Sequence, residues 1–222
     1  MIKKEILFDW DDTLFSKTEY KKNLRSNLAK ICCVSEGEIF QIEEEYFNSL
    51  TKSDDFTIDS FLNTFGEKFG KKIDLRDFNS DRLRIYSNAL FPETISALNK
   101  LEDEYRLGIF SQGFISLQKI KIKESGVEEF FDEQLIFIGR NKLDPDFIKQ
   151  IPDGVTIIED KKEVIEQLKA IGRFELFWMN RVNNETVDGV TTVRDLEEFA
   201  QIKLASKEIE TRRLLQLETQ PV

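Results

Sequence analysis

Six side chains suited to one reaction stand just after short apolar runs. Asp9 and Asp11 follow Ile6, Leu7 and Phe8; Ser111 follows Leu107 to Phe110; Lys142 comes after Leu135 to Ile138; Glu159 and Asp160 follow Val155 to Ile158. Two carboxylates two residues apart, a hydroxyl, an ammonium group and a further acidic pair suit a divalent cation and a phosphoryl group. Each alone has a plainer reading: the acidic clusters as solvated loops or helix caps, Ser111 as a turn residue, Lys142 as a surface charge. Their joint placement outweighs these readings, because a parallel sheet points the loops after its strands at one crevice.

Composition narrows the chemistry further. The 222 residues contain no His, which excludes Ser-His-Asp triads, Cys-His pairs and His-bearing zinc sites. With 32 Lys and Arg against 42 Asp and Glu the net charge is −10, which opposes binding to nucleic acid or an anionic membrane face. Cys32 and Cys33 are adjacent, a spacing poorly matched to disulfide geometry, so both read as reduced thiols of a cytoplasmic chain. The segment Met1 to Glu5 is charged and the apolar run after it is short, so neither a signal peptide nor a membrane span is expected there. A content of 19 Phe, 10 Gly and 4 Pro is that of a globular chain with a sizeable core.

The elements that would carry these residues follow from periodicity. After a first strand at Ile6 to Phe8, Tyr20, Leu24, Leu28 and Ile31 recur at helical spacing. Ser35 and Glu38 form a capping-box pattern that opens a helix bearing Ile39, Ile42, Tyr46 and Leu50. A third helix spans Ile58 to Phe69, with Phe61, Phe65 and Phe69 as a packing stripe and Gly70 as its cap, and a fourth runs from about Leu75 to Ser87. From Pro92 the pattern alternates: helix to Glu104, strand Leu107 to Phe110, helix to Ser125, strands Leu135 to Ile138 and Val155 to Ile158, helix to Ile171, strand Leu176 to Trp178. The expected fold class is α/β, a Rossmann-like parallel sheet with helices on both faces, formed by residues 1–15 and 91–222, with an all-helical insert at residues 16–90. The tail 196–222, with Phe199, Ile202, Ile209 and Leu214 among charges, allows three outcomes: docking on the core, a dimer contact that would make the chain a homodimer and not a monomer, or fraying.

The strand-end residues resemble those of the haloacid dehalogenase-like hydrolase superfamily. Asp9 to Thr13 match its Asp-x-Asp-x-Thr motif, and Ser111 matches its strand-end Ser or Thr. Lys142, Asp144 and Pro145 match its Lys-Pro-Asp-Pro motif with Leu143 for the first Pro, and Glu159 and Asp160 match its terminal acidic pair. The similarity runs from about Lys4 to Glu198, and the helical insert occupies the place of that superfamily's cap. Asp12 stands where Gly is frequent, Gln112 where Asn is frequent and Glu159 in place of Asp, and Phe147 to Val155 is short for a full helix.

The resemblance implies a phosphatase acting on a small phosphorylated metabolite. Asp9 would be the nucleophile and Asp11 the acid/base, with an elevated pKa while substrate is bound. Mg²⁺ would be held by Asp9, the Asp11 carbonyl and Asp160, with Glu159 assisting through water; Ser111, Gln112 and Lys142 would bind the phosphoryl group, and Thr13 would fix the loop. A phosphomutase of the same superfamily and a non-catalytic binding protein with this fold are the alternatives. Lys17, Tyr20, Lys21 and Arg25 lie near the first motif, but a solvated helix face explains the three cations at least as well.

Overall fold

A computed structural model describes residues 3–51, 55–73 and 82–218. Six parallel strands, β1 (Lys4–Phe8), β2 (Tyr105–Gln112), β3 (Phe131–Gly139), β4 (Thr156–Glu159), β5 (Glu175–Met179) and β6 (Thr191–Val193), lie in the order β3-β2-β1-β4-β5-β6. Alternate residues of each strand enter different cores, as the two-residue repeat of extended chain requires. Ile6, Phe8, Leu107, Ile109, Ile158 and Phe177 pack on one face, and Leu7, Phe110 and Ile157 on the other. The first face is covered by α5 (Thr94–Glu102), through Ala97, Leu98 and Leu101, and by α9 (Leu196–Glu218). The second is covered by α7 (Pro145–Ile148) and α8 (Lys162–Ile171), through Ile148, Val164 and Leu168. The strand order reverses direction at β1, which places the ligand crevice of such a sheet beyond Phe8.

Between β1 and α5 the described chain is helical. The helices are α1 (Lys17–Cys32), α2 (Glu36–Ser49), α3 (Ile58–Phe69) and α4 (Arg82–Ser87). Ser16 caps α1 by accepting from the Glu19 amide, Ser35 and Glu38 complete the expected capping box, and Gly70 closes α3 with φ of 60°. The Phe stripe is packing: Phe61 lies 5.2 Å from the Tyr46 ring and 5.0 Å from the Phe65 ring, centroid to centroid. Residues 75–81 of the expected fourth helix lie outside the described residues; the part that is described is helical from Arg82. The segment leaves and rejoins the core at one place, where Phe15 and Leu90 form an antiparallel bridge and Ser16 N–H donates to the Ala89 carbonyl at 2.6 Å.

Two expectations are corrected. Pro92 belongs to a turn and α5 begins at Thr94, whose hydroxyl donates to the Leu14 carbonyl at 2.8 Å and ties the helix start to the bridge. The edge strand β6 was not anticipated, because Thr191 to Val193 offers a single fully buried side chain. The connection between β3 and β4 holds only the four-residue α7, consistent with the short stretch seen in the sequence. The tail is helical and its first turns dock: Leu196, Phe199 and Ala200 are buried, with the Phe199 ring 5.8 Å from Phe8 and 4.9 Å from Phe177. Cys32 and Cys33 are both free thiols. Among the described residues no helix is long and apolar enough to cross a membrane.

Gly108 sits mid-strand because there is no room for a side chain. An added Cβ would stand 2.4 Å from the Leu135 carbonyl oxygen and 2.7 Å from Leu7 Cδ2. The β2–β3 register also shifts here, Leu107 pairing with Phe131 but Ile109 with Ile136. Gly108→Ala should therefore lower stability by about 1–3 kcal/mol, the usual cost of overpacking. An unchanged urea midpoint would show that the two strands part freely.

Candidate active site

The loop after β1 is wound tightly. Leu14 and Phe15 N–H groups both donate to the Trp10 carbonyl at 3.1 Å, and Asp12 N–H donates to the Phe15 carbonyl at 2.6 Å. This winding puts Asp12 at φ of 68°, left-handed backbone that Gly adopts freely and Asp tolerates. The Asp12 carboxylate accepts from the Lys17 amide at 3.1 Å and pairs with the Lys17 ammonium at 2.9 Å, which ties the loop to the start of α1. Beyond the turn, the Thr13 carbonyl accepts from Arg181 at 2.9 Å, whereas the Thr13 hydroxyl is buried without a hydrogen-bond partner. Thr13 thus anchors the loop through its backbone.

Asp9, Lys142 and Glu159 meet in a buried ion cluster. Lys142 has no exposed surface, and its ammonium donates to Asp9 Oδ1 at 2.5 Å and to Glu159 Oε2. The other Glu159 oxygen accepts from the Lys161 amide at 3.0 Å. Lys142 is delivered by a turn that Asp144 stabilises, its side chain accepting from the Asp146 and Phe147 amides at the start of α7. One carboxylate oxygen from each of Asp9, Glu159 and Asp160 lies within 4.8 Å of the others, and the buried Asp160 Oδ1 has no hydrogen-bond partner. An all-oxygen set with an unpartnered member fits a hard divalent cation.

Asp11 is placed apart from this cluster, against α6 (Ile115–Glu124). Its two oxygens accept from Lys121 at 2.7 and 2.9 Å, and one also accepts from Gln118 Nε2 at 3.0 Å. The same Gln118 nitrogen lies 2.9 Å from the Ser111 hydroxyl and 3.2 Å from the Gln112 carbonyl oxygen. Ser111 is therefore buried in the site, whereas the Gln112 side chain is exposed and that residue joins the network through its backbone. Neither Gln118 nor Lys121 was singled out in the sequence. Their signal was present: two polar residues three apart on the helix that follows Ser111, a spacing that puts both on one face.

The local fields drive the two loop carboxylates in opposite directions. Burial pushes the Asp9 carboxyl up to about 6 against the pull of Lys142, with Asp160 and Asp11 adding to the rise. Burial and the neighbouring acids raise Glu159 well above the usual carboxyl range, and Asp160 is raised chiefly by burial. Burial also works against the Lys142 charge, but Asp9 and Glu159 outweigh it and hold the ammonium above its ordinary value. For Asp11, burial is outweighed by Lys121 and Gln118, and the carboxyl falls below its ordinary value.

A surface groove of about 620 Å³ lies by Lys119, Ile122, Glu128 and Ile136 and contains none of these residues. A smaller cavity of about 70 Å³ is bounded by Lys17, Tyr20, Leu24, Phe47 and Phe61 of the helical segment and by Leu117 and Lys121 of α6. Lys121, which donates to Asp11, is among its lining residues.

No family model matches the chain. A glyceraldehyde 3-phosphate phosphatase of Methanothermobacter thermautotrophicus is 27% identical over 147 residues, 59% of this chain and 61% of that relative's length. Among solved structures, a haloacid dehalogenase-like protein of Burkholderia xenovorans is similar with a TM-score of 0.63 at 17% identity, covering 92% of this chain and 98% of that one. A phosphatase of the same superfamily from Thermococcus onnurineus is similar at 0.54 and 20% identity, covering 90% and 97%. The L-2-haloacid dehalogenase of Xanthobacter autotrophicus is similar at 0.55 and 14% identity, covering 90% and 98%.

Because burial favours the protonated form of Asp9, Glu159 and Asp160, a cation binding there competes with protons. Mg²⁺ should raise the thermal midpoint at about pH 7.5 and do so much less at about pH 5, below the Asp9 value. Asp160→Ala should remove the shift. Equal shifts at both pH values, or in that variant, would place the cation elsewhere.

Proposed function

The chain carries the haloacid dehalogenase-like fold, and from that premise we propose that it is a Mg²⁺-dependent phosphatase that cleaves a small phosphomonoester through an aspartyl-phosphate at Asp9. The observation that carries this reading is the buried cluster of Asp9, Lys142 and the Glu159–Asp160 pair at the ends of β1 and β4, with Ser111 and Asp11 linked to each other through Gln118. The phosphatase name of the Methanothermobacter relative supports it.

Asp9 and Asp160, with the Asp11 carbonyl, would hold Mg²⁺, which supplies charge neutralisation between an anionic nucleophile and an anionic phosphoryl group. Glu159, whose oxygens already accept from Lys142 and the Lys161 amide, holds Lys142 in place. Lys142 and Ser111 bind phosphoryl oxygens, the first with charge and the second with its hydroxyl. Gln112 serves through the carbonyl that anchors Gln118.

Asp9 attacks phosphorus and the ester oxygen departs with a proton from Asp11. Water then attacks phosphorus, and Asp11 takes the proton that it releases. Ionised and held by Lys121, Asp11 is in its base form. A phosphoryl dianion beside it raises its pKa, which is the condition for its acid role. Residues 16–90 act as the cap, packing against α6 beside the Lys121 that holds Asp11 and excluding water there. Two adjacent free thiols fit a reducing compartment such as the cytoplasm.

Asp9→Asn should lower Mg²⁺-dependent hydrolysis of p-nitrophenyl phosphate by roughly 10³-fold or more while leaving the fold intact by circular dichroism. Phosphate should leave with retained configuration at phosphorus, since two displacements occur. Undiminished turnover by the variant, or inversion, overturns the reading; phosphate moved within a sugar phosphate without release of inorganic phosphate would make the chain a mutase.

A further inference from the structure

We propose that Lys121 and Gln118 are positioning residues that hold Asp11 for the second half of the reaction, the attack of water on phosphorylated Asp9. The proposal rests on the function given above. Three contacts reach one carboxylate: Lys121 on both oxygens at 2.7 and 2.9 Å, and Gln118 on one at 3.0 Å. A carboxylate so gripped loses rotation about its last side-chain bond, which fixes the lone pair that must meet the proton of water.

The construction is costly in ways that packing alone does not require. Lys121 is 5% exposed, in the last turn of α6, with its ammonium 5.6 Å from the Phe15 ring centroid and 5.4 Å from that of Tyr20. A Leu or Met there would fill the same space without desolvating a charge or ordering a long polar chain. Gln118 is 1% exposed, and its amide nitrogen is shared among Asp11, the Ser111 hydroxyl and the Gln112 carbonyl oxygen. One side chain thereby links the base to the hydroxyl proposed to grip the phosphoryl group, so the distance between them is set by α6.

In the step concerned, the water oxygen bonds to phosphorus, the bond from phosphorus to the Asp9 oxygen breaks, and the proton of water passes to Asp11. Asp9 is returned as a carboxylate and inorganic phosphate departs. Lys121 has two opposed effects on this step. It orients the base, and by its charge it weakens the base. If orientation dominates, its removal slows the step; if charge dominates, its removal quickens the step.

With p-nitrophenyl phosphate, kcat/KM reports formation of the phosphoenzyme, and kcat reports its hydrolysis when that step limits turnover. We expect Lys121→Met to lower kcat about 10-fold or more and kcat/KM by less than about 3-fold, with a burst of nitrophenol near one per chain. Gln118→Met should move both quantities in the same direction by less, and Lys121→Arg should recover part of kcat. Equal losses in kcat and kcat/KM would overturn the proposal in favour of a role in packing or phosphate binding, and a rise in kcat would overturn it in favour of the charge effect. If Lys121→Met loses its cooperative thermal transition, Gln118→Met decides by the same split. Absence of Asp9-dependent turnover in the unaltered chain removes the phosphatase reading, and this proposal with it; turnover with an unsplit loss removes this proposal alone.

Discussion

A buried ammonium between two buried carboxylates dictates how the strand ends meet. Lys142 and Glu159 have no exposed surface and Asp9 has 4%, so separating any of them would strand a charge in the interior at a cost of several kcal/mol. The constraint draws together the end of β1, the end of β4 and the loop after β3, which comes from the far edge of the sheet. It also leaves an imbalance. Asp9, Glu159 and Asp160 bring three acids to a neighbourhood where Lys142 is the cation that reaches two of them. The rise in the carboxyl pKa values is the same imbalance expressed as proton affinity.

Two residues further along the same loop, the opposite condition holds. Asp11 has its own cation in Lys121, and the environment that hinders ionisation of Asp9 favours it in Asp11. Splitting a carboxyl pair in this way gives each member a separate task, the arrangement that acid–base chemistry on paired acids needs. The helix responsible, α6, has no side-chain cap of its own at Phe114. Asp55 of the helical segment supplies the acceptors, taking bonds from the Ser116 amide at 3.1 Å and from its hydroxyl at 2.6 Å. The element that grips Asp11 is thus itself finished by a residue from outside the core.

Much of this was legible in the sequence, because strands buried on both faces read as unbroken apolar runs and their ends as abrupt polarity. Ile6 to Phe8 with Asp9, and Val155 to Ile158 with Glu159, are of this kind, and they gave the sheet and the strand-end residues together. Helix signals with local chemistry, such as Ser35 with Glu38 and the stop at Gly70, were equally readable. What was hidden depends on partners distant in sequence. Lys121 looks like a solvated helix charge until Asp11, 110 residues earlier, is placed beside it. The tie between the Gln112 carbonyl and Gln118 likewise shows only once α6 is packed behind the strand end. β6 contributes only three residues whose pairing with β5 decides their conformation.

The bridge between Phe15 and Leu90 carries a consequence for how such a chain can change. Both crossings of the chain lie side by side, so the ends left by excising what lies between them are already within reach of a short turn, and closing it costs little loop entropy. Neither β1 nor α5 would need a new register. The helical segment can therefore be lengthened, shortened or exchanged wholesale while the sheet keeps its wiring.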